Sequence, residues 1–92
     1  MKRSDLKTGM KVTLRDGSVF TVICNYTYKG SPYNVLVDGK KEPGLFVEDY
    51  LDDLTMDPTN EILGLEYDRL LKDSSEYDII KVEENGKVLW ER

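Results

Sequence analysis

Three tyrosines and a lysine lie within one short stretch of the chain and could bind a ligand by stacking. Tyr26, Tyr28 and Tyr33 bracket the loop predicted after the second strand, and Lys29 lies in that loop. Ring faces of this kind stack on bases or hold proline-rich peptide segments. The same tyrosines would also cap a small core with their hydroxyls in water. The pattern predicts either a binding groove or a core rim. The candidate groove residues are Tyr26, Tyr28, Tyr33, Phe46 and Tyr50, and Trp90 in the last strand is a further candidate binding residue.

A cluster of carboxylates follows Phe46 and could hold a hard cation, because Ca²⁺ prefers oxygen ligands. The calcium-loop spacing fails, since no glycine occupies the sixth position and Leu51, Leu54 and Met56 interrupt the acidic residues. We therefore expect no metal site and interpret the cluster as a solvated acidic surface. Its candidate residues are Glu48, Asp49, Asp52, Asp53 and Asp57.

The residue inventory excludes several kinds of catalysis. The chain has no histidine and one cysteine, Cys24, so Ser-His, Cys-His and zinc-water mechanisms lack their central groups. The seven glycines are dispersed at predicted turns and form no phosphate-binding loop. We therefore expect a non-enzymatic protein without a cofactor, and we expect Cys24 to face the core as a small apolar residue.

Charge is unevenly distributed along the chain, although the net charge is −5. Residues 1–45 carry +4, residues 46–76 carry −8 and residues 77–92 carry −1. The acidic segment 48–76 would repel a phosphate backbone and attract a basic surface of another protein, as an inhibitor would. The alternative is weak nucleic-acid binding through the opposite, basic part of the chain. That face would comprise Tyr26, Tyr28, Tyr33, Lys29, Lys40 and Lys41.

The first two strands form a hairpin whose register follows from its apolar residues. A three-residue loop ending in Gly17 pairs Val12 with Phe20 and Met10 with Val22, which puts all four side chains on one face. A two-residue loop would divide this set between the two faces. We therefore predict the three-residue loop, with Gly17 at positive φ.

The last two strands flank Asn85-Gly86, a strong signal for a two-residue type I′ turn. Simple alternation from this turn pairs Val82 with Leu89 and Lys81 with Trp90. Ile80, Val82 and Leu89 would then be buried, while Trp90 would lie on the other face beside the Lys81 stem. Strands are predicted over residues 10–15, 18–26, 33–37, 45–48, 77–83 and 87–91, with a loop over 27–32 and a helix over 60–72.

Length and composition indicate one soluble β-rich domain spanning residues 1–92. No run of apolar residues is long enough for a membrane span, and no apolar stretch follows the basic start as in a signal peptide. Together with the single cysteine, these features predict a cytoplasmic protein that does not bind membranes. The sequence does not determine its oligomeric state.

The stretch Leu6 to Val12, in which a glycine precedes an alternating strand, resembles the first strand of SH3-like barrels. The hairpin from Lys11 to Val22, the segment from Tyr50 to Leu54, and the stretch from Tyr77 to the terminal Arg92 resemble small uncharacterised proteins of phages and prophages of Gram-positive bacteria. The resemblance implies a phage-type accessory protein in the bacterial host cytoplasm and supplies no catalytic residues. We expect a mainly β, small SH3-like barrel of five or six short strands that binds another protein.

Overall fold

The computed structural model describes residues 1–39, 43–57 and 76–92, which form a mainly β fold. The fold class and strand number predicted from the sequence are confirmed, and the predicted helix over 60–72 lies outside the described residues. The strands are β1 (Lys11–Leu14), β2 (Val19–Tyr28), β3 (Ser31–Val37), β4 (Pro43–Phe46), β5 (Ile79–Glu84) and β6 (Lys87–Glu91). Within the described ranges they form one antiparallel sheet in the order β4-β3-β2-β1-β5-β6, in which β4 and β6 are the edges and do not pair to close a barrel.

The β1–β2 hairpin has the predicted register. Val12 lies opposite Phe20, and the Val22 N–H donates to the Met10 carbonyl at 2.8 Å. Gly17 has a φ of 92°, and its N–H donates to the carbonyl of Leu14, which closes the three-residue loop. Three of the four predicted inward residues are buried and Phe20 is half-buried against them.

The β2–β3 hairpin is longer than predicted, because residues expected in a loop continue the two strands. Tyr28 pairs with Ser31, so the turn consists of Lys29 and Gly30 alone, with φ values of 51° and 84°. Two positive φ values identify a type I′ turn, which matches the twist of the strands. The predicted loop over 27–32 was wrong because Pro32 lies within β3, opposite Thr27, instead of ending it.

A bulge separates the outer part of this hairpin from the main sheet. The pairing shifts between Ile23 and Tyr26, and Asn25 takes a φ of 57°. The Asn34 side chain stabilises this conformation, since its Oδ1 accepts the Asn25 N–H at 3.0 Å. A bulge bends the strand and increases its twist, so it redirects the outer hairpin and its tyrosines relative to the core.

The β5–β6 hairpin has the predicted turn but a different register beyond it. Glu84 pairs with Lys87 as expected, whereas Val82 lies opposite Trp90 because a bulge shifts the pairing after Glu83. The predicted burial of Leu89 is therefore wrong: its side chain is 42% exposed.

A second irregularity, in the pairing of β1 with β5, changes which β5 residues face inward. Leu14 lies opposite Ile79 and Thr13 opposite Lys81, so Ile80 is the extra residue. Ile79 and Val82 are consequently the fully buried pair in β5, and Ile80 is half-buried.

A 3-10 helix, Val47–Asp49, follows β4 and leads into a loop of residues 50–57 that contributes to the core. Leu54 is fully buried with a φ of 70°, and its carbonyl accepts the Ile79 N–H at 3.0 Å. This hydrogen bond therefore holds the loop after β4 against the start of β5, although β4 and β5 are not neighbours in the sheet. In the described ranges, no helix has the length and apolar character needed to cross a membrane.

Candidate functional site

Three of the predicted groove residues form one aromatic cluster at the surface. The Tyr28 ring lies edge-on to Phe46 with 5.3 Å between centroids, and Tyr33 lies 5.2 Å from Phe46. Tyr28 and Tyr33 are 6.2 Å apart, again edge-to-face. Tyr33 remains 37% exposed, so the cluster presents ring surface to solvent.

The strand register brings these rings together from three different strands. Tyr28 ends β2 at the type I′ turn, and Tyr33 lies in the returning strand β3. Phe46 in β4 pairs with Val35, two residues beyond Tyr33 and therefore on the same face of β3. Tyr26 pairs with Tyr33 and is half-buried on this face as well.

Two carboxylates from the 3-10 helix complete a pocket over the rings. The pocket has a volume of about 320 Å³ and is lined by Tyr28, Tyr33, Phe46, Glu48 and Asp49; we call it the aromatic pocket. One carboxylate is held in position, because Oε1 of Glu48 accepts the Asn34 backbone N–H at 3.0 Å. An apolar floor with a negative rim is complementary to an amphipathic cation.

The chain already brings one of its own cations to these rings. Nζ of Lys29 lies 5.4 Å from the centroid of the Tyr28 ring, within the range of a cation–π contact. The turn geometry causes this contact, since Lys29 occupies the first turn position directly after Tyr28. A cationic group therefore finds a favourable environment at this cluster.

No family model, curated protein or solved structure matches this chain.

Tyr50 belongs to the core and not to the groove, so its prediction as a binding residue was wrong. Its side chain is 1% exposed, and its hydroxyl donates to the Tyr77 carbonyl at 2.7 Å. Burial raises the pKa of the Tyr50 phenol far above its usual range, and the nearby charge of Asp78 raises it further. The backbone of the 3-10 helix turns this ring inward immediately after Asp49, which faces the pocket.

Trp90 is also separated from the aromatic pocket, because β6 is the edge strand opposite β4. The ring is half-buried against the core, and the Arg92 guanidinium lies 4.9 Å from its centroid. The predicted position of Trp90 beside the Lys81 stem is therefore wrong, and the cation next to the ring is Arg92. The bulge in β6 is the cause, since it turns Trp90 to the face of Val82.

The predicted acidic residues differ in exposure. Asp52 and Asp53 are exposed in loop 50–57, and Asp57 is half-buried. Asp53 caps its own turn, because its Oδ1 accepts the N–H and the hydroxyl of Thr55 at 3.1 and 2.6 Å. These hydrogen bonds lower the pKa of Asp53. Among the described residues, no cluster of three or more potential ligands is placed to hold a metal ion.

Sequence reasoning missed a carboxylate that anchors loop 50–57. Asp78 is 7% exposed, and its Oδ1 accepts the Met56 N–H at 2.9 Å while its Oδ2 lies 3.6 Å from the Arg15 guanidinium. Position alone could not single it out, since an aspartate next to a strand is common at surfaces.

Two arginines near opposite ends of the chain bind backbone carbonyls of the same region. Arg3 donates to the Tyr50 carbonyl at 2.6 Å, and Arg92 donates to the Asp53 carbonyl at 2.7 Å. Arg3 and Arg15 both belong to residues 1–45, the basic part of the chain. Both make structural contacts, which weakens the basis for a continuous phosphate-binding surface there.

Proposed function

We propose that this chain is a non-enzymatic recognition module that binds a basic segment of another protein at the aromatic pocket. The observation that carries the proposal is the combination of an aromatic floor, Tyr28, Tyr33 and Phe46, with two carboxylates, Glu48 and Asp49, in one open pocket. A long basic side chain satisfies both parts, because its stem packs on the rings and its charged end reaches the rim.

The charge distribution supports a protein partner. Residues 46–76 carry a net charge of −8, and the 3-10 helix that lines the pocket opens this segment. The negative electrostatic potential of this segment speeds association with a basic surface, and salt screens this attraction. An inhibitor that occupies the basic surface of a nucleic-acid-handling protein would use this chemistry.

The setting we propose is the cytoplasm of a bacterial host cell, with the chain acting as an SH3-like accessory protein of phage type. The resemblance of the first hairpin and the last two strands to such proteins supports this setting. The absence of histidine and the single cysteine support a binding role over catalysis.

The aromatic cluster also favours a second function, weak binding of single-stranded nucleic acid. Bases would stack on Tyr28 and Tyr33, and Lys29 would contact phosphate. Glu48 and Asp49 oppose this function, because they place two negative charges at the same pocket. This alternative predicts that an oligonucleotide is retarded at low salt and released by Lys40→Glu combined with Lys41→Glu.

A comparison of two defined probes tests the proposal. The full chain, labelled with ¹⁵N, is titrated with a Lys/Arg-rich peptide and separately with a single-stranded oligonucleotide, each at low and at high ionic strength. We expect the peptide to shift the amides of Tyr33, Phe46 and Glu48, and we expect its affinity to fall with salt.

Three outcomes would overturn the protein-binding proposal: stronger binding of the oligonucleotide at this pocket, peptide binding confined to another surface, or no binding of the peptide at low salt. Peptide affinity that is insensitive to salt would contradict the electrostatic part of the proposal.

A further inference from the structure

We infer that the group recognised by the aromatic pocket is an arginine guanidinium, and that Lys29 competes with it for the rings. This inference rests on the proposed function and specifies the chemistry of the partner's contact residue. Three observations support the inference: the packing of the three rings, the fixed carboxylate of Glu48 and the position of Lys29.

The ring packing does not match a cage for a methylated ammonium group. Such a cage needs several ring faces directed at one central cation. Here the rings contact each other, with centroids 5.2 to 6.2 Å apart and interplanar angles of 48 to 74°. Edges of some rings therefore point at the faces of others. The cluster offers a platform on which a flat group can stack, rather than an enclosed space for a round one.

The carboxylate beside the platform favours a planar, forked donor. Glu48 is oriented by the Asn34 N–H, which contacts one carboxylate oxygen. A carboxylate can accept about four hydrogen bonds, so this contact leaves acceptor capacity for a ligand. Arginine can stack on a ring and donate two parallel hydrogen bonds at its edge, whereas a lysine ammonium acts as a point charge. The combination selects arginine over lysine.

The position of Lys29 identifies a favourable place for a cation, and it also limits the access of a ligand cation to the rings. Its ammonium lies near the Tyr28 ring, so an incoming guanidinium meets a like charge next to the platform. The φ of 51° at Lys29 is costly for a lysine and is favourable for asparagine. Lys29→Asn therefore removes the competing charge and retains the turn.

The test uses short, capped Gly/Ser peptides that differ only at one central residue: arginine, lysine, trimethyllysine or glutamine. The full chain is titrated with each peptide and the shifts of backbone amides are followed by NMR. We expect the arginine peptide to bind roughly tenfold more tightly than the lysine peptide. Its shifts should centre on Tyr33, Phe46 and Glu48.

The outcomes separate this inference from the proposed function. Equal affinities for arginine and lysine, or tightest binding of trimethyllysine, would overturn the selectivity and leave the protein-binding function intact. No difference between the cationic peptides and the glutamine peptide, or no binding of any of them, would overturn both.

Two variants test the roles of the charged residues. Glu48→Gln keeps the acceptor for Asn34 and should weaken the arginine peptide roughly tenfold. Lys29→Asn should strengthen it roughly threefold by removing a like charge. Glu91→Gln and Lys87→Asn on β6 are the matched controls, and both should leave the affinity for the arginine peptide unchanged. Unchanged or weaker binding by Lys29→Asn at an intact fold would contradict the competition.

Discussion

Loop 50–57 and the aromatic pocket both bring a tyrosine beside carboxylates, and they differ in where the polar groups find their partners. In the loop region, the Tyr50 hydroxyl binds the Tyr77 carbonyl and the buried Asp78 binds the Met56 N–H. In the pocket, the Tyr33 ring and the Glu48 carboxylate are exposed, and one oxygen of that carboxylate accepts the Asn34 N–H. A single peptide unit separates Asp49 from Tyr50, so the direction of the chain, rather than residue type, decides which group builds the core and which can recognise a ligand.

The largest expected effect comes from removing the buried ring. Tyr50→Ala should lower the free energy of unfolding by about 3–5 kcal/mol, because it leaves a cavity and deprives the Tyr77 carbonyl of its donor. Tyr33→Ala, on the exposed cluster, should cost about 1 kcal/mol. Urea unfolding of both variants measures the difference. Equal losses would contradict the division into a structural and a recognition region.

Removal of the buried carboxylate should have the next largest effect. Asp78→Ala leaves the Met56 N–H without its acceptor and should lower the free energy of unfolding by about 2 kcal/mol. The control Asp52→Ala changes an exposed side chain in the same loop and should stay within about 0.5 kcal/mol. Chemical denaturation of both variants gives the comparison, which fails if Asp52 matters as much as Asp78.

Alkaline pH should weaken the fold through Tyr50. The pKa of its phenol is raised in the folded state, so the contribution is complete below the ordinary tyrosine pKa of about 10 and decreases above it, where only the unfolded chain releases this proton. Above this pH, the free energy of unfolding should decrease by about 1.4 kcal/mol per pH unit because of this group. Unfolding curves across this range should lose that slope in Tyr50→Phe. A Tyr50→Phe profile that parallels the parent would show that other groups cause the loss.

Neutralising the pocket rim should affect binding and spare stability. Glu48→Gln and Asp49→Asn together should change the free energy of unfolding by less than about 1 kcal/mol. The same pair should weaken a Lys/Arg-rich peptide by more than about tenfold, because two charges that face the ligand are lost. Titration calorimetry and thermal melting together check both halves. A collapse of the fold would assign these carboxylates to structure.

The smallest expected effect is at Asp53. Its pKa is lowered mainly by the Thr55 hydroxyl, so its stabilising contribution is present at neutral pH and is lost as the pH falls through the acid range. The group is fully exposed, which keeps the effect slight. NMR titration of the side chain should give a midpoint below the ordinary aspartate pKa, and Thr55→Val should raise it. A midpoint that stays the same in Thr55→Val would contradict the hydroxyl as the cause.

The sequence predicts the parts of this fold that local rules determine. Gly17 and four alternating apolar residues are enough to set the register of the first hairpin, because a slip of one residue would expose all four. Asn85-Gly86 determines the last turn in the same way. The bulge two pairs beyond that turn depends on whether Leu89 or Trp90 packs better on the core, and this choice involves residues distant in the chain.

Local strand pairing also explains why three of the predicted aromatic residues lie in contact, and the prediction for Tyr50 failed because it depends on a distant residue. Tyr28, Tyr33 and Phe46 were grouped correctly because neighbouring antiparallel strands bring them together. Tyr50 looks no different from these residues in the sequence. Its burial requires Tyr77, which lies 27 residues further along, to supply the acceptor for its hydroxyl.

The contacts of loop 50–57 have a consequence for local opening. Its Met56 N–H and the adjoining Ile79 N–H are hydrogen-bonded between the loop and the start of β5. Amide hydrogens exchange with solvent only when such bonds break, so irregular backbone of this kind exchanges slowly. In deuterium oxide, both amides should therefore retain their protons as long as the central strands do. Release of this loop would coincide with global unfolding rather than precede it.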